Sequence, residues 1–188
     1  MVSMIEKWER EEGVVFLRRI GLKSAHKVLD FGARVGHYSI PAALVVGRDG
    51  WVYALDKDRS ALKELQRKAQ RLQIKNIEII LTTGAVTLDL EKNSIDVVLL
   101  YDVLHYFTPE ERKQLLSEVY RVLKPDGLLS IYPKHVMNDA PLDQFEGVGI
   151  ADVRQEIVAA NFIFLGKFCG TLSHDDFLNP GCVLNFSK

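Results

Sequence analysis

The sequence predicts a doubly wound α/β domain, a mainly parallel sheet with helices on both faces. Three observations carry this expectation. Short apolar runs at residues 27–31, 51–55, 77–81, 94–101 and 128–132 alternate with segments of helical periodicity. The run Val97-Val98-Leu99-Leu100 is apolar at every position, as a strand covered on both faces requires. A turn bearing two glycines, Asp30-Phe31-Gly32-Ala33-Arg34-Val35-Gly36-His37, joins the first run to a helix.

The elements follow in order. Residues 5–20 read as one amphipathic helix, with Ile5, Trp8, Val15 and Phe16 against a charged face and Gly13 as a weak point. Residues 27–31 form the first strand, and 37–46 a helix that tolerates Pro41 only in its first turn. Gly47-Arg48-Asp49-Gly50 turns into the second strand at 51–55. Asp58 caps a long helix in which Leu62, Leu65, Ala69 and Leu72 recur at helical spacing. Strands follow at 77–81 and 94–101. Thr108-Pro109-Glu110-Glu111 opens a helix with a hydroxyl cap, an early proline and a carboxylate three residues on. Lys124-Pro125-Asp126-Gly127 is a turn before the strand at 128–132. Residues 133–149 are a loop and 150–160 a helix. Strands at 161–169 and 182–186, joined by the loop GTLSHDDFLNPG, pair antiparallel and close the chain. Nothing marks a repeat or linker, so residues 1–188 are expected to form one domain.

Composition excludes several function classes. The 188 residues carry 24 basic and 25 acidic side chains, a net charge of −1, which offers no footprint for nucleic acid or an anionic membrane. The opening MVSMIEKWEREEG lacks an apolar signal core, and no apolar run approaches the roughly 20 residues that cross a bilayer. Cys169 and Cys182 lie far apart with no CxxC spacing, so no disulfide is expected and a reducing cytoplasm is the default compartment.

In a doubly wound sheet, ligands bind at the carboxyl ends of the strands where the strand order reverses. That rule gathers Asp30 to Gly36, Asp56 with Lys57 and Asp58, Thr82 to Ala85, Tyr101 to Phe107, and Tyr132 to His135 on one edge. Asp56 ends the second strand about 20 residues beyond the glycine turn, where a carboxylate can accept both hydroxyls of a ribose. Its other reading is a turn residue beside the helix cap Asp58. Gly32 and Gly36 allow positive φ or close ligand approach, or simply a tight turn. The sequence holds neither GxxxxGK[ST] nor GxGxxG, which disfavours a phosphate-cradling loop and a nicotinamide or flavin pyrophosphate site.

Four segments in order, VLDFGARVGHYSIPAA, VYALDKD, SIDVVLLYDVLHYF and RVLKPDGLLSIYPK, resemble the signatures of the Rossmann-like (class I) S-adenosylmethionine-dependent methyltransferases. The flavour is that of the group containing ubiquinone/menaquinone-biosynthesis C-methyltransferases and many small-molecule methyltransferases. The resemblance spans residues 23–134. It implies a seven-stranded sheet with the last strand antiparallel, S-adenosylmethionine as cofactor and S-adenosylhomocysteine as product. It implies that Asp30 holds the methionine amino group, Gly32 and Gly36 admit the methionine part, Asp56 takes the ribose and Lys57 flanks the adenine. The family's acidic residue at the adenine edge has no match here. Gly84 and Ala85, beside Thr83, stand in its place and would contribute backbone contacts. Tyr101 sits where the methionine moiety or the acceptor is met.

Arg34 departs from the resemblance, standing where the family's glycine pattern has its second glycine. At positive φ a non-glycine costs on the order of 1 kcal/mol or more. The side chain could block the ligand, clamp a carboxylate with its planar fork, or face solvent. His37, His105 and His135 follow strand ends, and Tyr101, His105 and His135 are the catalytic candidates. No HxH or HxxxH spacing marks a metal set, so no metal is expected. Trp8 and Phe16 of residues 1–22, with Met137, Leu142 and Phe145 of the late loop, either cover an acceptor site or pack as ordinary core. YDVLHYF suits a small-molecule acceptor better than a nucleic-acid base. The sequence therefore points to a small-molecule methyltransferase. The alternative is a degenerate methyltransferase fold with impaired cofactor binding that acts as a binding or regulatory protein.

Overall fold

A computed structural model describes residues 3–136 and 143–188 of the chain. The apolar runs become β1 (Lys27–Phe31), β2 (Trp51–Asp56), β3 (Ile77–Leu81), β4 (Ile95–Tyr101) and β5 (Leu123–Tyr132). A long hairpin of β6 (Ile163–His174) and β7 (Phe177–Ser187) follows them. The helices are α1 (Met4–Arg10), α2 (Glu12–Arg19), α3 (Ser39–Val46), α4 (Arg59–Arg71), α5 (Pro109–Val122) and α6 (Ile150–Ala159). The strands form one sheet in the order β3-β2-β1-β4-β5-β7-β6, with β7 antiparallel to both of its neighbours. The predicted fold class, with the last strand antiparallel, is what the chain adopts. None of the described residues forms a helix long and apolar enough to cross a membrane.

Alternating residues of the central strands feed two faces. Leu29, Phe31, Leu55, Val98 and Leu100 pack with α5 and α6, through Leu115, Val119 and Ile157. On the other face, Val28, Val52, Val97 and Leu99 meet α2 and α3, and Ala54 meets Leu62 and Leu65 of α4. Both faces are covered, which explains the uninterrupted apolar run in β4. The helix starts behave as their sequences dictate. Asp58 accepts from the backbone N–H groups of Ser60 and Ala61 at 2.8 and 3.1 Å. Thr108 and Glu111 form a reciprocal cap with Pro109 at the first helical position. Chain order runs outward from β1 to β3, then restarts at β4 on the other side of β1. The β1/β4 border is therefore the switch point where a crevice must open.

Four expectations need correction. The N-terminal helix is broken in two at Glu11, whose φ of −121° and ψ of −84° are not helical, and glycine at 13 lets the chain pass close to Trp8, where a Cβ would lie 2.9 Å from the ring. The Lys124-Pro125-Asp126-Gly127 turn lies inside β5 as a bulge: Leu123 pairs with Ile95 and Leu128 with Val97. The GTLSHDDFLNPG segment is hairpin strand up to a tip at Asp175 and Asp176. Its carbonyls find partners far away in sequence: Trp8 Nε1 donates to Thr171 and the Tyr38 hydroxyl to Ser173, at 2.9 and 2.8 Å. Finally, hairpin register sets Cys169 opposite Cys182 and the two are joined by a disulfide, against the expectation of free thiols. Reading 170–181 as a loop hid that register. Of the suggested acceptor cover, Trp8, Phe16 and Phe145 are buried core residues, while Met137 and Leu142 lie outside the described residues.

Candidate functional site

The glycine turn is built to bring main chain, not side chain, to the crevice. The Gly32 and Ala33 N–H groups both donate to the Leu55 carbonyl at 2.9 Å, which ties the turn to the end of β2. Gly32, Arg34 and Gly36 all have positive φ, of 85°, 44° and 87°. Gly36 serves packing: a Cβ there would lie 2.2 Å from Leu65 of α4, so glycine lets that helix close on the turn.

Asp56 is 7% exposed and held by two backbone donors. Its Oδ2 accepts from Arg34 N–H and its Oδ1 from Asp58 N–H, each at 2.8 Å. Each carboxylate oxygen keeps a second lone pair for a ligand. Asp56 borders a cavity of about 490 Å³ together with Gly32, Arg34, Lys57, Gly84 and Tyr106. The Lys57 ammonium lies 5.8 Å from the Tyr106 ring centre. Gly84 belongs to this wall, whereas Ala85 is exposed and does not line it.

A second cavity of about 270 Å³ shares Gly32, Arg34 and Asp102 with the first and adds Asp30, Tyr101 and His174. Arg34 reaches over the turn to pair with Asp175 at the hairpin tip, which leaves its N–H on Asp56. The substituted position thus keeps the left-handed backbone of a glycine and spends its side chain on the hairpin.

Asp30 is buried and accepts from the Ser39 hydroxyl at 2.6 Å. Burial pushes its carboxyl up to about 7; the Ser39 hydrogen bond opposes this and the Asp56 charge adds to it. The sign follows. The folded protein holds this proton between pH 3.8 and about 7 while the unfolded chain has lost it, so stability falls as pH rises through that window and levels off above it. From pH 5 to 7.5, urea denaturation should show the wild type losing roughly 2–3 kcal/mol more stability than Asp30→Asn, the other titrating groups contributing alike to both. Equal slopes in the two proteins would contradict this.

The remaining candidates separate. The Tyr101 hydroxyl is buried against Ser130 Oγ at 2.8 Å and its ring meets Tyr38 edge-on. Burial raises that phenol far above its ordinary range, so its proton stays in place. His37 leaves the other histidines and binds Glu9 at 2.7 Å. His105 is buried beside Tyr106 and His135, and burial, then the neighbouring His135, lowers it to about 4. His135 does face the edge, but its close partners are Asp102 and His174, with Nε2 atoms of the two rings 3.0 Å apart. Burial pushes the Asp102 carboxyl up to about 7, with His135 pulling the other way.

Sequence reasoning placed Asp102 and Tyr106 on this edge without a role and missed His174 and Asp175. The signal for the last two was the polar His-Asp-Asp between alternating strand residues, which reads as a hairpin tip only once 163–187 is seen as one ribbon.

Residues 28–127 match the family described as a methyltransferase domain. The chain is 32% identical over 115 residues to a demethylmenaquinone methyltransferase of Oceanobacillus iheyensis, covering 59% of this chain and 45% of that protein. It is 33% identical over 108 residues to a ubiquinone/menaquinone biosynthesis C-methyltransferase of Blochmanniella floridana, covering 57% and 42%. The chain thus spans less than half the length of these curated relatives. Among solved structures, a SAM-dependent methyltransferase from Aquifex aeolicus superposes with a TM-score of 0.76 at 22% identity, over 96% of this chain and 92% of that one, a likeness of fold.

Proposed function

The chain belongs to the methyltransferase domain family, and on that premise we propose that it binds S-adenosylmethionine and transfers its methyl group to a small molecule. The observation that carries this reading is Asp56: a buried carboxylate at the end of β2, aimed by two N–H donors, beside a glycine turn at the switch point. In this reading Asp56 takes the ribose hydroxyls, Lys57 and Gly84 border the adenine, and Gly32 lets the methionine part cross between the two cavities. Asp30 meets the methionine ammonium, and the charge of that cation favours the ionised carboxylate, so binding near pH 6 releases up to about one proton. In this reading the described residues act as a single domain, with α1 tied to His37 at the second cavity through the Glu9–His37 bond.

The sulfonium is already an activated donor, so the protein's part is alignment. The acceptor's lone pair forms the bond to the methyl carbon, the C–S bond breaks with its electron pair left on sulfur, and the acceptor's proton leaves to solvent. In this reading the acceptor enters from the second cavity; one relative is named a demethylmenaquinone methyltransferase and another a ubiquinone/menaquinone biosynthesis C-methyltransferase.

Calorimetric titration of S-adenosylmethionine and S-adenosylhomocysteine into the wild type and Arg34→Gly tests the reading. Micromolar binding to the wild type is expected, changed by less than about tenfold in Arg34→Gly. Glycine keeps the N–H that Asp56 needs, and the lost partner is an exposed ion pair worth at most about 1 kcal/mol. No binding to the wild type at millimolar ligand would sink the proposal, and recovery in Arg34→Gly would install the degenerate reading.

A further inference from the structure

Asp102 follows β4, His135 follows β5 and His174 ends β6, so three distant segments bring three metal-ligating side chains together. We propose that they form a binding site for one divalent first-row transition ion of the Zn²⁺ or Fe²⁺ class. The Nε2 atoms of His135 and His174 are 3.0 Å apart, and they lie 3.4 and 3.0 Å from Oδ1 and Oδ2 of Asp102. Oδ1 of Asp102 is buried and, among the described residues, has no hydrogen-bond partner.

With the carboxylate ionised, no placement of ring protons makes all three contacts attractive; the cluster then needs either a proton on Asp102 or a cation among the groups. The N···N contact needs one ring bare at Nε2, and that bare nitrogen then faces a carboxylate oxygen lone pair to lone pair. A cation among the three groups removes the conflict, because every lone pair then points at positive charge. The spacing also fits. Ligand atoms about 2.1 Å from an ion are about 3.0 Å apart in an octahedral shell and about 3.4 Å apart in a tetrahedral one.

Two imidazoles and one carboxylate select a borderline transition ion over Mg²⁺ or Ca²⁺, which prefer all-oxygen shells. Among the described residues three side chains reach the ion, which leaves further positions in its shell. Asp102 borders both cavities and His174 the second, so an open position would face the space where an acceptor's oxygen, nitrogen or sulfur could complete the shell. That use rests on the methyltransferase reading; binding of the ion does not. The buried ring of His105, 4.6 Å from that of His135 and with Nδ1 3.7 Å from Oδ1 of Asp102, borders the same cluster.

Metal-stripped full-length protein is titrated with Co²⁺, read by visible absorption, and with Zn²⁺ in competition with a chromophoric chelator. One equivalent is expected to bind at micromolar affinity or better. His174→Ala and His135→Gln should each weaken it by at least about 100-fold, the scale reached by losing even an outer-shell partner, while His26→Gln leaves it unchanged. Near-UV circular dichroism verifies the fold, and Asp102→Asn replaces any histidine variant that fails to fold. Absence of stoichiometric binding in the wild type, or unchanged affinity in the folded site variants, overturns the site. S-adenosylmethionine titrated into the same stripped protein reports the methyltransferase reading separately: failure there, with one Co²⁺ bound, leaves the ion site standing.

Discussion

Replacing Asp56 with alanine is expected to weaken S-adenosylmethionine binding by at least about 100-fold, because two hydrogen bonds to a charged acceptor, at about 1.5–3 kcal/mol each, are lost together. The same change frees the Arg34 and Asp58 N–H groups that the carboxylate holds, so part of the loss passes through the shape of the glycine turn. Asp56→Asn keeps only one of the two turn bonds and sets its amide N–H₂ against the other backbone donor as well as toward ribose donors, so affinity should fall with a smaller loss of stability than in Asp56→Ala. Calorimetry together with a urea midpoint reads both quantities. An unchanged Kd in folded Asp56→Ala would remove Asp56 from the site and with it the main support for the cofactor assignment.

The largest effect on stability is expected at Glu9, in the first helix and remote in sequence from the residues it serves. Glu9 is fully buried, and its Oε1 accepts from Lys68 Nζ of α4 and meets Nδ1 of His37, both at 2.7 Å. Lys68 is itself only 8% exposed. Glu9→Ala strands that ammonium without a counter-charge and should cost about 3–5 kcal/mol. The double change Glu9→Met with Lys68→Met should recover most of this, since replacing a buried pair by apolar groups of similar volume is often neutral. Urea midpoints of the two variants provide the check. A loss under about 1 kcal/mol in Glu9→Ala would mean that water reaches Lys68 and that the contact does not hold α1 to α4.

Much of this protein is legible from local chemistry. Asp58 and Thr108 cap their helices because hydroxyl and carboxylate oxygens reach backbone N–H groups two or three residues on, a contact that depends on nothing else in the chain. Strand β4 is recognisable because a strand covered on both faces needs an apolar residue at every position. Asp56 is legible because strand, turn and helix follow each other at a spacing that topology converts into one edge. The same logic is incomplete where partners are distant. It puts Gly36 in the ligand turn but does not reveal that Leu65 occupies the space its side chain would take. It puts Tyr101 at the strand end but does not reveal its hydrogen bond to Ser130 on the neighbouring strand.

By itself the sequence determined the doubly wound class and the strand and helix types through α6, since each follows from contacts within a few residues or from periodicity, while the special standing of Arg34 came from the family resemblance. Only the tertiary structure decided what Arg34 does, that Cys169 meets Cys182, that Glu9 reaches Lys68, and that His135 and His174 meet over Asp102. The physical reason is common to all four. Hairpin register and the packing of α1 on α4 are selected by burial summed over the whole core, and residues brought together that way carry no mark of one another along the chain.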